Sequence, residues 1–215
     1  YVPNGIVLAD WKNPTGLPEE HGILLNELHK KGKFIVGFAG AHGIANSLYA
    51  VIDAVALVEK QDVVLVLVGG GQEKNNLIKY TQKKKIDNVY FLPPVNKLAI
   101  PSLLKEMDVL YVGLQRQSLF RFGISPNKMF DYMMAAKPII QAIEAGNNLV
   151  READCGIDVE PDNKTEISKA ILNLKAMSQE ERIEMGENGR RFVLSHHTYQ
   201  VLGKQFLDIM INLVE

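Results

Sequence analysis

The stretch FIVGFAGAHG, Phe34 to Gly43, decides the fold: six apolar residues of strand-like composition run straight into a turn bounded by glycines. The same order returns in VVLVLVGGG, Val63 to Gly71, where an aliphatic run ends on three consecutive glycines. Near-continuous apolarity, rather than alternation, is what a strand covered on both faces requires. In parallel sheets ligands bind beyond the C-terminal ends of the strands, which is where these glycines stand. Taken alone, each loop reads equally as a sharp strand-to-helix turn or as backbone that lets a phosphate or a ring come close.

Outward from these two runs the pattern repeats. Val89–Leu92, Val109–Val112 and Pro138–Ile140 are short and rich in β-branched or aromatic residues, and Ile157–Val159 adds a sixth candidate strand. Helical stripes lie between them: Leu48, Ile52, Val55 and Ala56, then Leu77, Ile78 and Thr81, and a short helix led by Pro101. After the last strand the chain reads as helix to its end. This alternation predicts an α/β fold, a three-layer parallel sheet flanked by helices.

With 215 residues, 47% of them hydrophobic and 23% charged, the chain is long enough for a full core, and one domain is expected. A formal net charge of -1 supplies no global field for nucleic acid. The longest aliphatic run, Val63–Val68, falls far short of the ~20 residues of a spanning helix. A single cysteine, Cys155, excludes an internal disulfide and fits a cytoplasmic location. The first residue is Tyr1, not methionine, so the chain is expected to be a piece of a longer protein.

The stretch FGISPNKMFDYMMAAKPII, Phe122 to Ile140, predicts a helix with Ser125 as N-cap and Pro126 at its first position. Such a helix start is an anion cradle, and Asn127 and Lys128 lie in it. Lys128 is a cation at the positive end of the helix dipole, an arrangement that calls for a nearby anion. Asp131, one turn on, is expected on the face away from Met129, Met133 and Ala136, exposed and able to accept hydrogen bonds from sugar hydroxyls. The alternative is that Lys128 and Asp131, three apart, pair on a solvated face for about 0.2 to 0.5 kcal/mol.

Other ligand chemistries lack their residues. Neither glycine loop completes G-x-G-x-x-G, and no phosphate-loop G-x-x-x-x-G-K-[ST] occurs, which argues against a dinucleotide fold and a P-loop nucleotidase. Metal-ligand spacing is missing, and the adjacent His196 and His197 read as a surface pair. No metal and no cofactor are expected.

These residues resemble the C-terminal, donor-binding half of GT-B glycosyltransferases, family GT4, in the branch that builds bacterial capsule and O-antigen sugars. VPNGI (Val2–Ile6) is similar to the family's interdomain linker, FAGAHGIANSL to its first donor loop and LVGGGQEKNNL to its second. NVYFLPPV, Asn88 to Val95, resembles the strand and loop that receive the base, and FGISPNKMFDYMMAAKPII the acidic donor motif. The resemblance implies a Rossmann-like fold, with a linker over residues 1–15, a donor domain over 16–198 and a crossover helix over 199–215. The N-terminal acceptor domain is expected outside this chain.

The resemblance also implies roles. Asp131 would hold the ribose hydroxyls, Ser125 to Lys128 would lie against the diphosphate, and Val95 would meet the base. Gly40, Ala41, His42 and Gly43 would approach the phosphates or the sugar, with Gly70 on the second loop. Two departures stand out. The basic pair that many members carry after the first strand is replaced by Ala41, His42, Ile44, Ala45 and Asn46. Phe120 and Arg121 stand where the family's first acid is usual. Lys128 is therefore the expected cation for the leaving diphosphate.

The implied activity is retaining transfer of a sugar from a nucleotide-sugar donor, UDP-linked above all, to a glycan or lipid-linked acceptor. No nucleic-acid partner is expected, and a peripheral place at the inner face of the plasma membrane is compatible with it. Two other classes stay open: a GT-B-type UDP-sugar 2-epimerase and a non-catalytic nucleotide-binding module. The apolar residues Phe206, Ile209, Met210 and Leu213 of the last helix are expected either to cross back to the missing half or to form a dimer contact.

Overall fold

The computed structural model describes residues 2–213. Tyr1 and Val214–Glu215, the outer ends of the expected linker and final helix, lie outside the described residues. In chain order the elements are α1 (Ala9–Lys12), α2 (Glu19–Lys30), β1 (Phe34–Ala39), α3 (Leu48–Leu57), β2 (Val63–Val68), α4 (Lys74–Lys84) and β3 (Val89–Leu92). They continue with α5 (Ile100–Lys105), β4 (Val109–Gly113), α6 (Asn127–Met134), β5 (Ile139–Ala142), α7 (Leu149–Glu152), β6 (Gly156–Asp158), α8 (Lys164–Ala176), α9 (Gln179–His196) and α10 (Tyr199–Asn212).

All six strands pair in parallel, in the order β3-β2-β1-β4-β5-β6. Every residue of β1, β2 and β4 is buried, as their unbroken apolarity requires. Alternate residues feed two cores. Ile35, Val64, Val66, Leu110 and Ile139 pack with α2, α5, α6, α7 and α9, while Val36, Val63, Leu65, Val109 and Ile140 pack with α3, α4 and α8. The architecture is the expected three-layer α/β sandwich of Rossmann type. The strand predictions at β4, β5 and β6 miss by a residue or two: Gly113, Gln141, Ala142 and Gly156 extend the strands past their apolar runs, while apolar Pro138 and Val159 lie just outside them.

The strand order reverses between β1 and β4, and there the ladder is short: only Val36–Val109 and Gly37–Leu110 are in register. Beyond that point the strands part, and Tyr132 from α6 enters. Its hydroxyl accepts the Ala39 N–H at 2.9 Å, so the last residue of β1, still paired with Val68 of β2, is held on its other edge by a helix instead of by β4. Such a reversal is the place where open parallel sheets bind ligands.

The segment before α1 meets the junction of α9 and α10. Ile6 donates to the His197 carbonyl at 2.8 Å and forms a bridge with Thr198. His197 is 7% exposed, packed against Phe130 and Phe192. The surface reading of the His196–His197 pair therefore holds for His196 alone, because the junction of α9 and α10 folds His197 under the segment around Ile6. From Gly203 onward α10 is exposed, including Phe206, Ile209, Met210 and Leu213.

Candidate functional site

Three loops converge at the C-terminal ends of β1, β2 and β3, and the backbone stitches them together. His42 donates to Gly70 O at 2.7 Å, and its own carbonyl accepts from Glu73 at 2.9 Å. Lys74, at the start of α4, drives its ammonium under the second loop and donates to Gly69 O (2.8 Å) and Leu92 O (2.7 Å). These bonds cross-link β2 and β3 at their ends. The composition of the lysine gave no hint of that task; only the proximity of two carbonyls reveals it.

The glycines divide by role. Gly69 and Gly71 have positive φ, and a Cβ on Gly69 would overlap the Gly40 carbonyl oxygen, while one on Gly71 would lie 2.6 Å from His42 O. They serve loop-on-loop packing. A Cβ on Gly70 meets nothing within 4 Å. Gly70 lines a cavity of about 380 Å³ together with Gly40, Ala41, Gly69, Pro94 and Val95, so four of the residues singled out from the sequence share one hollow.

His42 does not open into that hollow through its side chain. The ring is fully buried between Phe38 and Phe91, with both nitrogens unpartnered. Burial first, then Lys74 and Lys128, hold its pKa down to about 4, so it is neutral at pH 7. Gly43 leads into a 3-10 turn, Ile44–Asn46, which lies beside the β4 loop through Gln115 N to Ala45 O at 3.0 Å.

The start of α6 differs from the expectation. Pro126 is the N-cap and the helix begins at Asn127. Ser125 makes no cap, because its hydroxyl accepts the Asn4 N–H (2.9 Å) and its carbonyl accepts from Asn4 Nδ2 (2.7 Å). The segment that resembles a linker thus grips the Ser-Pro-Asn-Lys loop from outside. The buried stripe of α6 is Met129, Phe130, Tyr132 and Met133, and Ala136 lies beyond the helix end.

Lys128 and Asp131 do not pair. Lys128 turns toward the β1 loop, where its ammonium donates to Asn46 Oδ1 at 2.5 Å and sits 4.2 Å from the centre of the Phe38 ring. Among the described residues no carboxylate lies within ion-pair distance of it. Burial pulls its pKa down to about 8, so the ammonium is charged at neutral pH but poorly solvated.

Asp131 is half-buried rather than exposed, and turns toward α1 and the turn after β3. Burial pushes its carboxyl up to about 6, opposed by Lys97 and by a hydrogen bond from the Trp11 indole; Asp10 pushes it further up. Lys97 is itself paired with Asp10 at 2.6 Å. Local spacing placed Asp131 on a solvated face, but α1 and the turn after β3 close over that face.

On the other side of the strand reversal, the loops after β5 and β6 enclose a hollow of about 710 Å³. Its cations are matched: Arg116 with Glu144 (2.9 Å) and Glu160 (2.5 Å), and Arg151 with Asp158 (2.7 Å). Cys155 is buried, and burial raises its thiol to about 12.

The family described as Glycosyl transferases group 1 matches residues 25–192. No curated protein matches the chain. Among solved structures, a glycosyltransferase from Rickettsia africae superposes with a TM-score of 0.80 at 12% identity, over 100% of this chain and 57% of that one. HepE from Anabaena in complex with UDP gives 0.76 at 19% identity, over 97% and 56%. Sucrose-phosphate synthase from Thermosynechococcus elongatus gives 0.76 at 18%, over 99% and 52%. The chain spans about half the length of these proteins.

Proposed function

The chain belongs to the glycosyl transferases group 1 family, and from that premise we propose that the rim above β1, β2 and β3 binds the nucleoside diphosphate of a sugar donor. One observation carries the reading: a partly desolvated lysine, Lys128, is held over the β1 loop by a neutral amide, with no carboxylate among the described residues to satisfy it. A diphosphate supplies the missing negative charge. Gly40, Ala41, Gly70 and Val95 line the adjoining hollow, which suits the nucleoside. Asp131 lies toward the turn after β3, on the side proposed for the ribose.

The reaction proposed is transfer of a sugar from a UDP-linked donor to an acceptor hydroxyl, with retention at the anomeric carbon. As the glycosidic bond breaks, negative charge grows on the departing diphosphate. Lys128 and the first N–H groups of α6 stabilise that charge more than they stabilise the intact donor, which is the condition for lowering the barrier. In this reading protein donors, not a metal, neutralise the leaving group. A glycan or lipid-linked acceptor, in bacterial surface polysaccharide synthesis, is assigned to the half of the architecture that this chain does not span. The exposed apolar side of α10 is assigned to contact with that half.

Titration calorimetry of the chain with UDP, UDP-sugars, GDP and NAD tests the reading. Selective binding of UDP and UDP-sugars is expected. Binding of NAD alone overturns it.

A further inference from the structure

Asn46 ends the 3-10 turn after the β1 loop, and its side chain is engaged at both ends. Its Nδ2 donates to Ala41 O at 2.9 Å, and its Oδ1 accepts from Lys128. The first bond fixes which end of the amide faces the carbonyl, so the oxygen is the end left for the ammonium. We propose that Asn46 is a positioning residue, which holds the Lys128 ammonium over the β1 loop while leaving its charge free for an incoming diphosphate. The inference rests on the reading of Lys128 given above.

The case rests on what a tether must do here. Lys128 lies 82 positions from Asn46 and reaches it through a flexible four-carbon stem, whose rotamer freedom opposes any single placement. The Phe38 ring supports the ammonium from one side but sets no direction for its protons. A hydrogen-bond acceptor does set one. A carboxylate would bind the ammonium more tightly, yet the resulting pair carries no net charge and presents an anion to the diphosphate. A neutral amide oxygen directs the lysine without cancelling it.

The other charged or titratable groups nearby leave this balance undisturbed. His42, on the β1 loop, is uncharged at neutral pH, and Lys74, on α4, is committed to Gly69 O and Leu92 O. Neither offers Lys128 a negative partner.

The test compares Asn46→Asp with Asn46→Ala, measuring the affinity of the 215-residue chain for UDP and for uridine between pH 6 and 10 (on the order of one pH unit per step). Asp keeps the shape and the acceptor for Lys128 but loses the donor to Ala41 O; Ala loses both and adds no charge. The expected order is therefore wild type, then Ala, then Asp, with UDP affinity down about threefold in Ala and about tenfold or more in Asp, and uridine unchanged. A carboxylate favours the charged lysine, so the alkaline fall in UDP affinity shifts to higher pH in Asn46→Asp. An amide with only a structural task, carried by its bond to Ala41 O, loses that bond in both variants and predicts that UDP and uridine affinities fall together, with the alkaline fall unshifted. Equal losses for UDP and uridine, or UDP affinity in Asn46→Asp equal to wild type, overturns the inference and leaves the reading of Lys128 standing. A wild-type chain that binds UDP no better than uridine overturns both.

Discussion

The two halves of the sheet's C-terminal rim differ in how their charges are arranged. Above β5 and β6 a hollow of about 710 Å³ holds many charged groups, but Arg116 is matched by Glu144 and Glu160, and Arg151 by Asp158. Above β1, β2 and β3 the hollow is about 380 Å³ and lined by glycine backbone and small apolar side chains, with Lys128 held beside it on a neutral amide. Neither size nor the number of charges marks a place for an anion. A cation that has lost solvent and gained no counter-charge does, because its electrostatic need is left for a ligand to meet.

The sharpest way to break the contrast is through the glycines, and the largest effect is expected there. Gly69→Ala places a Cβ against the Gly40 carbonyl at a left-handed backbone position, and is expected to cost about 3 kcal/mol or more in denaturant unfolding. Gly70→Ala, one residue on and in open space, is expected to leave stability within about 0.5 kcal/mol of wild type while weakening UDP binding by filling the hollow. Equal stabilities for the two variants would contradict the loop-on-loop packing.

Next in size is Lys128→Ala, which is expected to lower UDP affinity by about 10- to 100-fold and leave uridine affinity unchanged in calorimetry. The same variant sharpens the comparison through pH. Lys128 titrates near 8 in the folded chain, below its ordinary 10.5, so between those values the unfolded chain holds a proton that the folded chain has released. Stability from this group therefore rises as pH goes from about 8 toward 10.5, and Lys128→Ala should lack that rise in unfolding measured across the window. The smallest effect belongs to the paired half. Arg116→Ala breaks two exposed ion pairs and is expected to cost under about 1 kcal/mol, with UDP affinity unchanged.

Much of the fold was legible. Phe34–Ala39, Val63–Val68 and Val89–Leu92 are strands to the residue, because apolar runs that end on glycine or proline state their own limits. The start of α6 was not, since the Ser125 hydroxyl that suits an N-cap is taken by Asn4, from the other end of the chain. The stripe of α6 was read too narrowly: Phe130 packs on His197, and Tyr132 bonds to β1, contacts for which helical spacing has no signal.

The sequence by itself determined the strand-glycine-helix order, the parallel three-layer architecture and the shortlist of loops, because hydrophobic period and glycine punctuation act over a few residues. Only the tertiary structure decided the partners of the charges. Lys128 goes to Asn46 and not to Asp131, Asp131 goes under Trp11 and Lys97, and Lys74 goes to two carbonyls on neighbouring strands. Apart from the local bond of Lys74 to Gly69 O, these contacts join residues that the sheet order brings together from separate parts of the chain. A side chain's electrostatics follow from what surrounds it in space, and spacing along one helix does not contain that information.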